Sequence, residues 1–462
     1  MKRILVGAAL VGTAVSAQAA DLPARKAPYY KAPVAMVYDW TGFYIGVNAG
    51  VGIGRDRTQH FIPATPAATA DTLYLSPQGG LGGGQIGYNW QTDSLLGPMV
   101  LGVETDIQGA GLSDHFPSVV PLPGIAYSQK LDWFGTVRGR VGLAHGPVLS
   151  YVTAGYAYGS VNTTITEGGA TAFSSGNKLR SGWTFGSGVE AALGGNWTGK
   201  IEYLYLDLDN KTDTFAGQTL NTEIRENIFR AGLNYRIGGN SAYVPAVTAN
   251  WTGFYLGGNL GSGTGRDRST LTTPGFPVEQ FNLAPDGVNG GVQAGYNWQA
   301  ANWVYGLETD IQGSSQRDNR TCVLGCSPAL FAAYDAKLPW FGTVRGRLGY
   351  SVGSTLFYAT GGFAYGSIKT NINFNNTTLV SISGTKGGWT AGAGIETPFT
   401  LLGLFGPNWT SKTEYLYVDL GSQTTLPFTA LNTSFVATTH ATEHIFRTGL
   451  NYHFNSPVVA KY

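Results

Sequence analysis

From Phe43 to Ile53 the chain alternates without a break. Phe43, Ile45, Val47, Ala49, Val51 and Ile53 fall on one side, and Tyr44, Gly46, Asn48, Gly50 and Gly52 on the other. A period of two is that of an extended strand, whose successive side chains point to opposite faces. Seven further segments of this kind follow, at roughly 80–92, 99–110, 130–144, 148–160, 181–193, 197–208 and 224–237. Most reach the roughly 9–11 residues that a tilted strand needs to cross a bilayer. The connections alternate in length. Long ones are read at 55–79, 111–129, 161–180 and 209–223, and short ones at 93–98, 145–147 and 194–196. Long loops on one side and tight turns on the other are the arrangement of a transmembrane barrel.

The unit is written twice. WTGFY occurs at 40 and 251, GYNWQ at 87 and 295, ETDIQG at 104 and 308, EYLY at 202 and 414, and IFR at 228 and 445. The phrase WFGTVRGRVG at Trp133 returns as WFGTVRGRLG at Trp340. Self-similarity at a fixed spacing marks a repeated structural unit. The expected fold is therefore all-β: two tandem eight-stranded antiparallel up-and-down transmembrane barrels, spanning 39–237 and 250–454, with a linker at 238–249. The alternative is one sixteen-stranded barrel, wide enough to hold a water-filled channel for passive diffusion of small hydrophilic solutes. A long turn at 397–408, TPFTLLGLFGPN, has no counterpart in the first copy.

Composition agrees with a membrane barrel. Charged residues are 12% of the chain, about half the usual share of a soluble domain, roughly 25%. A net charge of +1 supplies no field for a nucleic-acid partner. Residues 1–19 read as a secretory signal peptide: Lys2 and Arg3, an apolar run from Ile4 to Val15, then Ala17-Gln18-Ala19. Residues 20–38 read as a periplasmic extension and 455–462 as a tail. Past the signal no run of 18 apolar residues occurs, and a membrane protein without helices closes its sheet, since lipid offers an open edge no partner. The predicted location is the outer membrane, with its lipid as a partner.

Placing the apolar alternation against lipid fixes what points inward. In copy one these residues are Glu104, Asp106, Arg138, Arg140, Glu190, Lys200, Glu202 and Arg230. In copy two they are Glu308, Asp310, Arg345, Arg347, Glu396, Lys412, Glu414 and Arg447. Each set has four acids and four bases. The interior of an eight-stranded barrel is just wide enough for side chains to fill, and buried charges persist only when paired and hydrogen-bonded. The twice-written arginines are expected to be the basic half of a lumen plug. No inward serine, histidine and acid arrangement suggests a hydrolase, so no enzyme is predicted, and no cofactor or metal.

Lesser features have plainer readings. Cys322 and Cys326, in a loop expected outside the cell, are a disulfide candidate. GGLGGGQIG at 79–87 lacks the lysine of a phosphate loop and reads as a glycine-rich strand. Trp40, Trp90, Tyr88, Tyr203 and Tyr205 are expected in interfacial girdles. His440 and His444 share a strand face, expected near the rim and exposed.

Several phrases taken together, ADLPARKAP, DWTGFYIGVNAG, WFGTVRGRVG, EYLYLDL and IFRTGLNYHF, resemble the small outer-membrane β-barrel surface proteins of alphaproteobacteria, a porin-family group that includes major surface antigens and some haemin binders. The resemblance spans both copies, whereas known members carry one unit. It implies an eight-stranded barrel with surface-exposed loops and a role in envelope integrity or host contact. It also raises a haem or ligand receptor acting through the loops, with His440 and His444 as contacts. Arg447, Gly449, Tyr452 and Phe454 resemble the last-strand signal read by the insertion machinery.

Overall fold

The computed structural model describes residues 38–61, 71–118, 125–238, 249–272, 274, 279–321, 332–374, 377–399, 405–430 and 433–455. All the regular structure described is β-strand. Copy one contributes β1 (Gly42–Gly54), β2 (Asp56–Phe61), β3 (Asp71–Leu75), β4 (Gln78–Ser94), β5 (Gly97–Ser118), β6 (Ile125–His145), β7 (Val148–Glu167), β8 (Ala170–Ser174), β9 (Lys178–Gly194), β10 (Trp197–Phe215) and β11 (Gln218–Ile237). Copy two contributes β12 (Gly253–Thr272), β13 (Glu279–Leu283), β14 (Asp286–Ala300), β15 (Trp303–Thr321), β16 (Ala332–Val352), β17 (Thr355–Phe374), β18 (Thr377–Pro398), β19 (Trp409–Thr424), β20 (Phe428–Ala430) and β21 (Thr433–His453).

Each copy closes on itself. The antiparallel order β1-β4-β5-β6-β7-β9-β10-β11 returns to β1, and β12-β14-β15-β16-β17-β18-β19-β21 returns to β12. At the two seams Gly50 faces Arg230 and Gly261 faces Arg447. A sixteen-stranded ring would need the first copy's last strand to pair with β12, so the alternative of a single wide barrel is overturned. Closure leaves no unpaired edge within the hydrocarbon, the condition lipid imposes.

Glycine makes the seam tight enough. A Cβ on Gly50 would lie 2.0 Å from the Phe229 carbonyl oxygen, and one on Gly261 2.2 Å from that of Phe446. The outward alternation forms an exposed apolar band: Phe43, Val47, Ile86, Val103, Val137 and Phe185 in the first barrel, and Phe254, Leu260, Val292, Leu307, Val344 and Phe363 in the second.

The strands outrun the expected ones. The described parts of the segments read as loops at 55–79, 111–129, 161–180 and 209–223 largely continue as strand, with β2, β3 and β8 added as hairpins. The reason is that alternation persists there in a weaker, mixed form: Phe116, Tyr127, Ile165 and Leu220 are buried on the inner side. Register shifts between Gly109 and Leu112 and between Leu131 and Trp133 recur at Gly313/Gln316 and Lys337/Trp340. Such bulges change strand direction and twist. The short turns are confirmed at Leu95–Leu96, Gly146–Pro147 and Gly195–Asn196.

Candidate functional site

Each lumen is filled in layers. At the short-turn end Trp40, expected in a lipid-facing girdle, is instead 1% exposed. It packs with Tyr38, Val100, Leu149 and Ala192 and donates its indole N–H to the Gly146 carbonyl at 3.1 Å. Trp251 does the same in copy two, donating to Ser351 Oγ at 3.1 Å. The expectation failed because Trp40 lies just before β1, where the alternation that sorts inward from outward has not begun. Trp90 is half-exposed as expected, and Tyr205 packs at a tilt beside Trp183 on the outer face, with ring centroids 5.4 Å apart.

Next to this cap lie the sixteen charges read from the sequence, every one of them buried. Arg138 is the hub of the first barrel. Its guanidinium meets Glu104, Asp106 at 2.8 Å and Glu202 at 3.0 Å, while Nε donates to Thr136 at 2.9 Å. Arg230 joins Asp106 at 2.9 Å to Glu202 at 2.6 Å, and Lys200 reaches Glu104 at 3.0 Å. Arg140 pairs with Glu190 at 2.9 Å and lies between the rings of Tyr44 and Tyr151.

Copy two reproduces the wiring. Arg345 meets Glu308, Asp310 at 3.0 Å and Glu414 at 3.1 Å. Arg447 joins Asp310 at 2.9 Å and Glu414 at 2.6 Å, Lys412 reaches Glu308 at 2.8 Å, and Arg347 reaches Glu396 at 2.8 Å. Planar guanidinium groups suit such bridging of several carboxylates.

Neutral residues that the sequence reading passed over complete both networks. Tyr44 and Tyr255 donate to Glu104 and Glu308 at 2.8 and 2.7 Å. Tyr151 and Tyr358 donate to Glu202 and Glu414, each at 2.9 Å. Thr136 and Thr343 donate to Asp106 and Asp310 at 2.8 and 2.7 Å. Strand parity puts all six inward, so the signal was present; they were missed because only charge was counted. Past the network an apolar layer follows, with Phe134, Leu204, Leu206 and Ile228 in one barrel and Phe341, Leu416, Val418 and Ile445 in the other.

The outer faces of the two barrels meet, and they do so reciprocally. Arg55, outward on the first barrel, reaches Asp318 at 2.6 Å and Asp286 at 2.9 Å. Its repeat counterpart Arg266 reaches Asp114 at 2.5 Å and Gln78 at 3.3 Å, the counterparts of those two acceptors. Tyr203 stacks on Phe446 with centroids 5.6 Å apart, and Phe229 packs on Tyr415 at 5.0 Å. Equivalent residues exchange equivalent contacts, which defines an isologous two-fold interface. Tyr203 therefore faces the other barrel rather than a lipid girdle.

His444, expected exposed at the rim, is 1% exposed in this seam, with Tyr415 Oη at 2.8 Å and Gln78 Nε2 at 3.0 Å. It belongs to the half of the β21 outer face that the first barrel covers. His440 stays partly exposed beside Asp419 and Ser422. Cys322 and Cys326 lie outside the described residues, as do the signal segment and nearly all of the linker. In the last strand Arg447 is in the network, Gly449 passes close to Gly258, and Tyr452 and Phe454 are exposed on the outer face.

A family model for an outer membrane protein beta-barrel domain matches the chain twice, over residues 7–236 and 237–454. The 31 kDa outer-membrane immunogenic protein of Brucella melitensis is 36% identical over 245 residues, 51% of this chain and 100% of that protein. The 25 kDa outer-membrane immunogenic protein of the same organism is 32% identical over 214 residues, 46% of this chain and 87% of its own. A 22 kDa outer membrane protein of Rhizobium leguminosarum bv. viciae is 34% identical over 212 residues, 45% of this chain and 82% of its own. Among solved structures, Neisserial surface protein A matches 43% of this chain and 98% of its own at 15% identity, with a TM-score of 0.24.

Proposed function

This chain belongs to the outer membrane protein beta-barrel domain family over nearly its whole length, and from that premise we propose that it is a non-enzymatic envelope protein whose two barrels are sealed pillars carrying surface-exposed hairpins. It is an outer-membrane protein, as its relatives are named. The observation that carries the reading is the filling of each lumen: a tryptophan cap, a buried network of four acids and four bases, and an apolar layer in series. Side chains held by several hydrogen bonds each support a lumen closed to solute, unlike the open lumen of wider barrels.

With the lumens closed, what remains to act is the outside: the hairpin ends, available for contact at the cell surface, and the apolar band that anchors them. The name immunogenic, given to the Brucella relatives, supports such exposure here. Reconstitution into liposomes tests the proposal. Vesicles holding the full chain should swell in isotonic sugar no faster than empty ones, and rapid swelling would refute it.

A further inference from the structure

The two-fold relation between the barrels is broken toward the short turns, and the break leaves a hole. Where the seam runs toward the short turns, each barrel offers a residue of its β7 or β17 outer face to a small residue of the other's β10 or β19. On one flank Phe357 covers Gly199 so closely that a Cβ there would lie 3.3 Å from the ring. On the other flank the counterparts are Ser150 and Ser411, and Leu143 and Val189 stand where copy two has Tyr350 and Ile395. The lost bulk opens a crevice of about 530 Å³, bordered by Ser150, Val152, Ser411 and Phe446. That volume is in the range of ligand pockets, roughly 300–1,000 Å³.

The described start of the turn at 397–408, residues 397–399, belongs here. Thr397, Pro398 and Phe399 form one end of the crevice, and Phe399 is braced by Phe405, itself against Trp409. The first copy's short turn at Gly195–Asn196 builds no such wall on the opposite flank. Val141, Leu143, Ser150 and Val152 lie on the outward parity of β6 and β7, whereas Tyr151 beside them turns into the lumen, so the crevice opens on the outer face and into the bilayer. No Lys, Arg, Asp or Glu lines it.

We propose that this crevice holds one acyl chain of a glycerophospholipid, gripped between the barrels at the short-turn side. A cavity with apolar walls that opens into hydrocarbon favours hydrocarbon, since water inside would find few partners. The crevice also continues an interface already formed, so the chain is held by two barrels at once.

Native mass spectrometry of the full chain, extracted gently from membranes, reads the occupancy. The wild type should retain one phospholipid per chain. Ser150→Phe, which copies the filled flank, should retain none, and Phe357→Ser, which copies the open one, should retain two. Preserved heat-modifiable gel migration shows that each variant has folded. Equal retention in all three, retention of none by the wild type, or a mass showing a second protein chain in place of lipid would each overturn the proposal.

Discussion

Arg55 and Asp318, 263 residues apart, lie 2.6 Å from one another across the seam between two separately closed barrels. The repeat-related pair Arg266 and Asp114 makes the same contact in the opposite sense at 2.5 Å. The second copy is therefore the first one's partner, and the linker has only to keep them near.

If that is so, the linker is dispensable once the barrels have docked. A protease site inserted at residues 238–249 and cut in detergent should leave the halves co-migrating in size-exclusion chromatography. The double variant Arg55→Ala with Arg266→Ala should separate after the same cut, because each change strands a buried carboxylate. Separation of the wild-type halves would show that the seam does not hold them.

Removing the hub of one lumen should damage that barrel alone. Arg138→Ala removes one of the two guanidinium groups that Glu104, Asp106 and Glu202 share, leaving them to Arg230, and breaking a buried ion pair from one side costs about 3–5 kcal/mol. Arg345→Ala should cost the same in the second barrel. Urea unfolding followed by limited proteolysis should show one barrel lost early in each variant, and uniform loss of both would contradict independent closure.

The tryptophan cap predicts a change in stability without a change in permeability. Trp40→Ala removes a buried indole, at a cost of about 3–5 kcal/mol, while the charge network above it stays. The midpoint of denaturant unfolding should fall, and liposome swelling should remain at the level of empty vesicles.

Closure at the first seam depends on glycine at one position. Gly50→Val places a side chain where a Cβ already lies 2.0 Å from the Phe229 carbonyl oxygen and 2.7 Å from the Arg230 Cα. The first barrel should fail to close and be digested by trypsin, while 250–454 stays protected. Protection of both halves would show that the seam relaxes around the substitution.

Much of this was legible in the sequence, and the limits have one physical cause. Alternation from Phe43 to Ile53 located β1, and the same parity placed Arg138, Arg345 and their fourteen companions inside. Parity says which side faces out but not what lies there. Phe229 and Tyr203 alternate like any lipid-facing residue and yet face the other barrel. The available hint was the phrase GRDR, at 54–57 and 265–268, which puts a charged residue outward just past an apolar strand in both copies. Trp40 and Trp251 precede their strands, so no alternation was there to orient them. Above the bulges at Gly109/Leu112 and Leu131/Trp133 the period itself shifts, which is why β5 and β6 were read too short.

The central claim is that both lumens are shut, and single-molecule current recording in planar lipid bilayers addresses it most directly. Insertion of the full chain should add no stable conductance step in molar potassium chloride at moderate voltage. Uniform, long-lived steps scaling with the number of inserted molecules would mean that the arginines and carboxylates line an open pore.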